Sequence, residues 1–575
     1  MPPNLQDRLV VTVLLLATAC GGSNADSTFT PTTPTIDTPS VPQSVVATIG
    51  SGTVRLAFAA PASDGGAAIS LYTAVCSASG TAALSATGTA SPITVSGLTN
   101  GVAYACTIAA SNSKGIGSAS LPVSVTSVAP PAVGAFRGSV VLGSPTNSSI
   151  KANVYAADQS GSVSISYGTS AGLYDAQTPS VALSARTPIE IALSGLQPNT
   201  QYYYRLNFQT TGAGSGPTDE ASFRTARPAG STFTFMVQGD SHPERVRIQF
   251  DSTFYVTTLK TAAADKPDFY IMLGDDFSVD QIPGTVTKEL VTDRYRIQRP
   301  YLGIIGKSAP VYLVNGNHEQ AARYLLDGTP NNVAVWAQNA RNSHYSQPAT
   351  DGFYSGNSEQ VPFIGLLRNY YAWQWGDALF VTIDPYWASP VAVDNTFGGD
   401  TKRPSIWDVT HGDAQYQWLK ATLEKSTAKY KFVFAHHVMG TQRGGVEVAK
   451  LYEWGGLDGK GVNLFAANRP TWAMPIHQLF VANKVSAFFQ GHDHIWVHQQ
   501  LDGVTYQEVS EPADPNYSRF NDDAYLTGDK FPNSGYTRVT VAPTGVKVEY
   551  VRTHLSADVG AGKTNGSVAF SYTIP

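Results

Sequence analysis

Five short apolar stretches in the C-terminal half of the chain run directly into clusters of Asp, Asn and His. The clusters occupy residues 238–242, 274–276, 316–319, 436–437 and 491–494. Short apolar strands that alternate with amphipathic helices are typical of a layered α/β domain. Polar side chains at strand ends gather at one edge of such a sheet. A fold for this chain must therefore bring five separate strand ends to one place.

The elements around these clusters follow from the hydrophobic periodicity. Strands are predicted at residues 233–238, 269–273, 311–314, 379–383, 431–435 and 485–489, and helices at 252–265, 287–298 and 413–429. Three later stretches, 505–510, 536–541 and 547–551, are interpreted as antiparallel strands.

The clustered side chains offer oxygen and nitrogen donors, and no cysteine lies among them. Mixed Asp, Asn and His donors suit Zn²⁺, Mn²⁺ or iron, and not Ca²⁺ alone. Seven such donors are too many for one ion, but they suit two ions if one carboxylate bridges. Two ions about 3.5–4 Å apart can clamp the attacking and the leaving oxygen of a phosphoryl transfer. All eleven His residues lie between His242 and His554, so imidazole chemistry is confined to this part of the chain.

These motifs, in this order, resemble those of the calcineurin-like metallophosphoesterase superfamily over residues 231–555. The resemblance implies an α/β domain with four layers, α-β-β-α, and two bound metal ions. It assigns the first metal to Asp240, His242 and His494, the second metal to Asn317, His436 and His492, and the bridge to Asp275. It also implies that His318 contacts the phosphate as a catalytic residue and that a metal-bound hydroxide is the nucleophile. His437 stays open as an alternative ligand to His436.

Two positions separate this chain from the purple acid phosphatases within that superfamily. Those enzymes carry Asp-x-Gly at the first motif, whereas this chain has His242 there. They also carry a Tyr that binds ferric iron three residues after the bridging Asp, and this chain has Ser278 at that position. We therefore expect Zn, Mn or Fe(II), without a tyrosinate–iron site.

Two β-rich segments precede the α/β part. Residues 41–128 contain short alternating stretches, and residues 95–104 followed by 110–112 resemble a fibronectin type III domain. Residues 131–227 contain a turn and a Tyr-rich alternating strand at 193–206, which resembles the N-terminal β-sandwich of purple acid phosphatases. The predicted architecture is thus multidomain: two all-β sandwiches, then the α/β domain, then a C-terminal tail at 556–575.

The N-terminus has the pattern of an export signal. Arg8 precedes an apolar stretch at 9–19 that is too short for a permanent membrane span. Residues 17–22 resemble a bacterial lipoprotein cleavage box, with Cys20 as the lipidated residue and an ordinary cleaved signal as the alternative. Residues 1–20 are therefore predicted to be a signal peptide. Residues 21–40 are rich in Ser, Thr and Pro and are predicted to be a flexible linker.

Export permits a disulfide between the two remaining cysteines, Cys76 and Cys106. We predict that bond because the strands that carry them can pair as neighbours, and two buried free thiols are the alternative. The expected location is the cell surface or outer membrane as a lipoprotein, or the periplasm or medium as a secreted protein. Contact with a membrane is expected only through a lipid on Cys20.

The length and charge narrow the function. A chain of 575 residues is too long for one core, so several domains are expected. The net charge of −5 gives no support for nucleic-acid binding, which needs a basic face. The function predicted is an exported binuclear metal phosphomonoesterase that acts on small organic phosphate esters. A phosphodiesterase or nucleotidase is the alternative within the same class, and a surface binding protein with a vestigial metal site is the alternative outside it.

Side chains that bind the substrate are less clear in the sequence. Arg323, Arg403 and Arg443 are candidates for holding a terminal phosphate. Nine of the Trp and Tyr residues between 370 and 472 either line a pocket for a base or sugar or pack in the core; they are Tyr370, Tyr371, Trp373, Trp375, Tyr386, Trp387, Trp407, Trp454 and Trp472.

Overall fold

A computed structural model describes residues 36–50, 52–127, 135–211, 214–394, 406–438, 443–560 and 562–575. The predicted signal peptide with Cys20, most of the predicted linker and Arg403 lie outside these residues. The chain forms two compact units, Met1–Ala129 and Pro130–Pro575. Among the described residues, no helix has both the length and the apolar character needed to cross a membrane.

The first unit consists of β-strands around one apolar core. Its strands are β1 Gln43–Gly50, β2 Thr53–Ala59, β3 Leu71–Ser77, β4 Leu84–Gly88, β5 Ile93–Ser96, β6 Ala103–Asn112, β7 Gly115–Ile116 and β8 Val123–Thr126. Their sheets have the orders β1-β2-β5 and β4-β3-β6-β7, with β8 also paired to β6. Alternate residues of the strands, such as Val54 and Leu56, point into the shared core.

The predicted disulfide between Cys76 and Cys106 is confirmed. The two cysteines face each other across the antiparallel pair β3–β6. Their side chains are fully buried in the core of the first unit. The bond closes a loop with a sequence separation of 30 residues, which restricts the unfolded chain.

The second unit begins with another set of strands around a separate core. They are β9 Gly138–Gly143, β10 Ser149–Ala156, β11 Gly161–Gly168, β12 Ala176–Gln177, β13 Val181–Leu183, β14 Ile189–Ser194, β15 Gln201–Thr210, β16 Gly214–Pro217 and β17 Ala221–Arg224. One sheet has the order β14-β10-β9, and the other is built around β11 and β15. Tyr202, Tyr204, Leu206 and Phe208 alternate along β15 and are buried in that core.

The α/β part then follows. Its strands are β18 Phe233–Gln238, β19 Phe269–Met272, β20 Val311–Leu313, β21 Ser355–Gly356, β22 Gln360–Val361, β23 Gly365–Leu366, β24 Tyr371–Trp375, β25 Ala378–Thr382, β26 Tyr430–Phe434, β27 Ala487–Gln490, β28 Trp496–Leu501, β29 Val504–Glu508, β30 Asp529–Phe531, β31 Gly535–Ala542, β32 Gly545–Arg552 and β33 Ser567–Ile574. Its helices are α1 Ser252–Ala264, α2 Lys288–Ile297, α3 Arg299–Gly306, α4 Val333–His344, α5 Asp413–Lys425, α6 Tyr452–Gly455, α7 Phe465–Asn468 and α8 Ile476–Ala482.

Most of the α/β strands, as far as the chain is described, belong to two sheets. One has the order β20-β19-β18-β31-β32-β33, and the other has the order β21-β24-β25-β26-β27-β29-β28-β30. Strands β18, β19 and β20 are parallel to one another, as are β25, β26, β27 and β29. The parallel strands are buried on both faces, which explains why they are nearly continuous apolar runs.

Alternate side chains of the central strands enter different cores. On β18, Phe235 and Val237 enter a core shared with Phe432 and Phe434 of β26, whereas Met236 enters a second core. The second core includes side chains from α1 to α4. On β26, Val433 enters a third core with side chains from α5 to α8. The first core therefore contains side chains from both sheets, and the second and third cores each contain side chains from helices.

The predicted elements are found close to their expected bounds. The six predicted strands and three predicted helices correspond to β18, β19, β20, β25, β26 and β27 and to α1, α2 and α5. Helix α5 ends at Lys425, four residues before its predicted end. The stretch predicted at 505–510 is β29, which is antiparallel to β28 but parallel to β27, because the hairpin with β28 returns the chain to the direction of β27.

The predicted C-terminal tail at 556–575 includes a strand. Residues Ser567–Ile574 form β33, which pairs antiparallel with β32 at the edge of the first sheet. Several of its side chains remain exposed.

A buried arginine joins the strands β9 and β10 to the α/β part. Arg299, at the start of α3, donates hydrogen bonds to the carbonyl oxygens of Ser139 (3.1 Å), Asn153 (2.9 Å) and His344 (2.6 Å). Burial lowers the pKa of this guanidinium to about 10. Tyr204 adds a bond of 2.6 Å to the carbonyl oxygen of Lys307. The two parts of the second unit therefore share fully buried polar contacts.

Candidate metal centre

The five clusters of polar residues come together at the carboxyl ends of the parallel strands. Asp240 follows β18, Asp275 follows β19 and Asn317 follows β20, so the first sheet supplies three predicted ligands. The second sheet supplies the other ligands after β26 and β27, namely His436, His492 and His494. His242 lies in the loop that begins with Asp240. The side chains of Asp240, His242, Asp275, Asn317, His436, His492 and His494 are all buried.

Two carboxylates are held in the same way at the middle of this centre. Asp240 accepts a hydrogen bond from the backbone N–H of His492 through Oδ1 (2.9 Å). Asp275 accepts one from the backbone N–H of His318, also through Oδ1 (2.9 Å). The Oδ2 atom of each carboxylate is buried without a hydrogen-bond partner. The backbone thus fixes both carboxylates and leaves one oxygen of each for another partner.

Three imidazoles place Nε2 near those free oxygens. The Nε2 atom of His436 lies 3.0 Å from Oδ2 of Asp275, and that of His494 lies 3.2 Å from Oδ2 of Asp240. The Nε2 atom of His242 lies 3.6 Å from Oδ2 of Asp240 and 3.9 Å from that of Asp275. Asp275 therefore lies between His242 and His436, as expected of a bridging carboxylate.

The outer nitrogen of each of these imidazoles has a fixed partner. Nδ1 of His436 lies 2.8 Å from the carbonyl oxygen of Leu273. Nδ1 of His242 lies 2.9 Å from Glu244, and Nδ1 of His494 lies 2.7 Å from Glu511. Partners of this kind select the tautomer that leaves Nε2 as a lone-pair donor.

Asn317 and His492 meet at the other side of the centre. The amide nitrogen of Asn317 donates to the carbonyl oxygen of Asp394 (2.5 Å), and its Oδ1 is buried without a partner. Nδ1 of His492 lies 3.1 Å from Nε2 of His436, and Nε2 of His492 lies 3.1 Å from Oδ2 of Asp394. The bond to Asp394 orients the amide so that its oxygen faces the other predicted ligands.

The residues present fit metal ions. Among the described residues, four groups at this centre have ligand atoms that all lie within 4.8 Å of one another; they are Asp240, His242 and His494; Asp240, Asp275 and His436; His242, Asp275 and His318; and His436, His437 and His492. Buried oxygens without partners are costly, and a cation would satisfy them. The donor set is made of oxygen and nitrogen, which suits borderline divalent metals.

The charges at the centre favour ionised carboxylates. Burial opposes ionisation of Asp240, but His436 and His494 outweigh it and hold the pKa of this carboxyl well below its usual range. Burial likewise opposes ionisation of Asp275, and His436 and His318 lower its pKa. Burial and the positive charge of Arg443 lower the pKa of His492, so that its imidazole is neutral and able to donate a lone pair.

His318 lies beside the predicted bridge. Its Nε2 is 3.7 Å from Oδ2 of Asp275, and its Nδ1 lies 2.7 Å from Oδ1 of Asp280. Burial disfavours the charged imidazole, but Asp275 and the hydrogen bond to Asp280 raise the pKa of His318 to about 9. Nδ1 donates this hydrogen bond to the carboxylate of Asp280, so Nε2 is the atom that faces the centre.

The backbone at this edge is held in unusual conformations. His242, Asp275, His492 and His494 all have φ between 40° and 78°, a region that non-glycine residues rarely adopt. At Gly316, an added Cβ would lie 2.2 Å from Oδ1 of Asp275, so only glycine lets the two loops approach this closely. The surrounding structure thus maintains strain in order to point the ligands inward.

Other predicted residues lie nearby with different partners. His437 stacks on His492, with ring centroids 4.0 Å apart, and its Nδ1 lies 2.5 Å from the hydroxyl of Tyr386. His436, in contrast, is the one beside Asp275. Glu319 accepts hydrogen bonds from the backbone N–H groups of Gly316, Asp275, Asp276 and Phe277, and so holds the two ligand loops together.

Two of the arginines predicted to bind phosphate, Arg443 and Arg323, lie in different surroundings. Arg443 donates to the carbonyl oxygen of His492 and lies 3.2 Å from Asp493. Arg323 pairs with Glu359 on the surface, at 2.6 Å. Most of the Trp and Tyr residues that were candidates for a substrate pocket pack in the core instead. Tyr371, Trp373 and Trp375 lie in the first core, and Trp407, Trp454 and Trp472 lie in the third.

Four residues near the centre were missed by the sequence analysis. Asp280, Asp394 and Glu511 each place a carboxylate next to an imidazole of the centre. NH2 of Arg245 lies 3.1 Å from Nε2 of His318. Arg245 lies three residues after His242, so its nearness in sequence was a usable signal, whereas the carboxylates come from loops with no motif.

Comparison with known proteins agrees with this arrangement. Residues 233–496 match the family model of the calcineurin-like phosphoesterases. The fold is similar to that of PhoD, with a TM-score of 0.53 and 16% identity over 76% of this chain and 90% of the other. It is also similar to the purple acid phosphatase PPD1 from yellow lupin (Lupinus luteus) seeds, with a TM-score of 0.51 and 14% identity over 91% of this chain and 92% of the other. A comparison with curated proteins finds no match.

The family match covers all five polar clusters and all seven predicted ligands. A large β-rich region precedes it. Residues 233–496 therefore form a calcineurin-like phosphoesterase domain, which is the domain of a phosphoric ester hydrolase.

Proposed function

We propose that the protein is an exported phosphomonoesterase that hydrolyses small organic phosphate esters with two divalent metal ions. The observation that carries this proposal is the set of buried ligand atoms without partners, Oδ2 of Asp240, Oδ2 of Asp275, Nε2 of His242 and Oδ1 of Asn317, beside the imidazole of His318. Such a set has the donors for two ions and a separate group for the substrate.

The ligand assignment follows from the geometry of the side chains. Asp240, His242 and His494 would hold one ion, and Asn317, His436 and His492 would hold the other. Asp275 has its free oxygen near both His242 and His436, so it would bridge the two. Zn, Mn or Fe(II) suits these donors, because Ser278 and not a tyrosine lies near His242.

The bound ions would polarise the phosphate oxygens and neutralise the charge that develops during hydrolysis. The chain's own contribution to the reaction is the positioning of charge and protons. Asp280 fixes the Nδ1 proton of His318, which directs Nε2 toward the centre beside Asp275. From that position His318 would contact the phosphate and deliver a proton from Nε2 to the leaving oxygen.

The remaining parts of the architecture are part of the same proposal. The shared core of each N-terminal module supports two β-sandwiches, at residues 41–128 and 131–227, the first similar in pattern to fibronectin type III domains. The three cores of the α/β part support a four-layer α-β-β-α domain that begins near residue 231. We further propose that residues 1–20 direct export, that Cys20 carries the lipid and that residues 21–40 tether the enzyme.

The test is a substrate panel with metal-loaded protein. The purified chain would be stripped with a chelator, loaded with Zn²⁺, Mn²⁺ or Fe²⁺, and assayed on a chromogenic monoester, a chromogenic diester and nucleotides. We expect about two metal ions per chain and faster turnover of monoesters. Preference for the diester would favour a phosphodiesterase, and preference for nucleotides a nucleotidase. Failure to bind metal in stoichiometric amounts, or to cleave any ester, would leave a surface binding protein with a vestigial site.

A further inference from the structure

One cationic side chain at the edge of the centre has no role in holding the proposed metals. Arg245 lies in the loop between β18 and α1, and about a quarter of its side chain (28%) is exposed. Its NH2 group lies 3.1 Å from Nε2 of His318. That nitrogen in turn lies 3.7 Å from the free oxygen of Asp275. The guanidinium is therefore one imidazole away from the proposed bridge.

The other arms of this guanidinium are fixed by residues that also support metal ligands. NH1 donates to Oε1 of Gln249 at 2.6 Å, and Nε lies 3.5 Å from Oε1 of Glu244. Glu244 contacts His242, and Gln249 contacts His494. The loop thus sets the position of the guanidinium with the same residues that set the position of two predicted ligands.

The position of NH2 is unusual for a structural arginine. A structural guanidinium commonly ends on a carboxylate, but NH2 of Arg245 ends beside the imidazole of His318, which is proposed to contact the phosphate. It is also partly exposed, so an anion can reach it without a change in the fold. A phosphate oxygen is a better acceptor for this group than an imidazole nitrogen, because charge-assisted hydrogen bonds are the stronger ones.

We propose that Arg245 binds a non-bridging oxygen of the substrate phosphate and thereby selects monoesters over diesters. The proposal rests on the proposed phosphoesterase function and deepens it. A monoester phosphate has three non-bridging oxygens and carries up to two negative charges. A diester has two such oxygens and one negative charge, so it offers the guanidinium one oxygen fewer and less negative charge. Arg suits this task better than Lys, because its planar fork is fixed and can meet two oxygens.

The experiment compares wild type, Arg245→Met and Arg245→Lys, each loaded with the same metal. Steady-state kinetics on a monoester and a diester with the same leaving group would give kcat and KM for each. We expect Arg245→Met to lower kcat/KM for the monoester by roughly 50-fold, as for loss of one hydrogen bond to a charged group, and that for the diester by less than about 5-fold. Arg245→Lys should restore part of the monoester activity, because it keeps the charge and loses the fork.

Binding of inorganic phosphate, measured by calorimetry on the metal-loaded protein, tests the proposal without turnover. We expect Arg245→Met to weaken it by about 10-fold or more. The matched control is Arg247→Met, which removes the same charge from an exposed position of the same loop and should match wild type.

The outcomes are distinguishable. Unchanged phosphate binding and an unchanged monoester-to-diester ratio in Arg245→Met would overturn the role of Arg245 even if the enzyme is active. Loss of metal from Arg245→Met, measured by elemental analysis, would also overturn it, because the residue would then act only by supporting His242 and His494. A wild-type protein that cleaves no monoester but binds phosphate through Arg245 would refute the proposed function and leave the anion site standing.

Discussion

Glu511 lies directly behind His494, with its Oε1 atom 2.7 Å from Nδ1 of the imidazole, while Nε2 of the same ring lies 3.2 Å from Asp240. The carboxylate is fully buried and also accepts a hydrogen bond from the side chain of Asn533 (3.0 Å). A carboxylate in this position fixes the ring and increases the basicity of the nitrogen that binds a metal.

Replacement of Glu511 by Gln should weaken metal binding at the site of His494. The amide keeps the shape of the side chain but removes the negative charge behind the ring. We therefore expect the affinity for the ion that His494 would bind to fall about 10- to 100-fold. Competition with a chelator of known affinity would measure it. Glu549→Gln is the control, because the carboxylate of Glu549, on β32, pairs with Arg538 of β31 and with Lys547. Equal affinities for wild type and Glu511→Gln would show that Glu511 does not tune the ligand.

Replacement of Asp275 by Asn should abolish hydrolysis. The change removes the charge whose free oxygen lies between His242 and His436, so the two ions lose their proposed bridge. We expect kcat/KM for a monoester to fall by roughly 10³-fold or more, with fewer ions bound per chain. The control, Asp219→Asn, removes one exposed carboxylate from the region before the α/β part. Near-normal turnover in Asp275→Asn would refute the bridge.

The ionised carboxylate of Glu453 should stabilise the α/β part at neutral pH, and this stabilisation should be lost in acid. Its buried carboxylate accepts hydrogen bonds from the backbone N–H of His411 (2.9 Å) and from Nε of Arg469 (2.9 Å). Burial opposes ionisation of Glu453, but the contacts with His411 and Arg469 outweigh it and lower its pKa. A carboxyl whose pKa is lower in the folded state stabilises it above its unfolded pKa of about 4.3, and that contribution disappears as pH falls through the folded value.

We therefore expect Glu453→Gln to be less stable than wild type at pH 7 and the gap to narrow as pH falls below about 4. Tryptophan fluorescence during urea unfolding reports on the α/β part, because all nine Trp residues lie between 336 and 496. Glu424→Gln, which removes an exposed partner of Lys420, should follow the wild-type curve. A gap that does not change between pH 7 and pH 3 would contradict the prediction.

Arg299 should join the β9–β10 region to the α/β part in one unfolding transition. Replacement by Met leaves three buried carbonyl oxygens without their donor, so we expect a loss of about 3–5 kcal/mol in the free energy of unfolding. Arg186→Met is the matched control, because Arg186 pairs with Glu289 and Asp293 on the surface and such pairs contribute at most about 1 kcal/mol. Calorimetry would compare them, and equal losses in the two variants would show that the buried arginine has no special role.

The strand ends could be predicted because their signal is local. The apolar run from Phe233 to Gln238 and the polar cluster after it are adjacent in sequence, and so were found together. The disulfide was also accessible, because the runs that carry Cys76 and Cys106 have the alternation of pairing strands. The predicted roles of the ligands depend on the resemblance to a family, since no local pattern says which ion a residue binds.

The partners of those ligands were not accessible in the same way. Glu511 meets His494, and Asp394 meets His492, only because the tertiary fold brings separate loops together. Each of these acids looks like an ordinary surface residue in the sequence. The strand β33 was also missed, although Val568, Phe570, Tyr572 and Ile574 alternate along it as expected of a strand.

The division of ligands between the two sheets has a mechanical consequence. Each proposed ion would take ligands from both, since Asp240 and Asn317 come from the first sheet and His494 and His436 from the second. The two ions would then cross-link the two sheets at the carboxyl ends of their parallel strands and oppose any sliding of one sheet over the other. Removal of metal should therefore loosen the packing of the whole α/β part as well as stop hydrolysis, because binding to the folded state alone stabilises it.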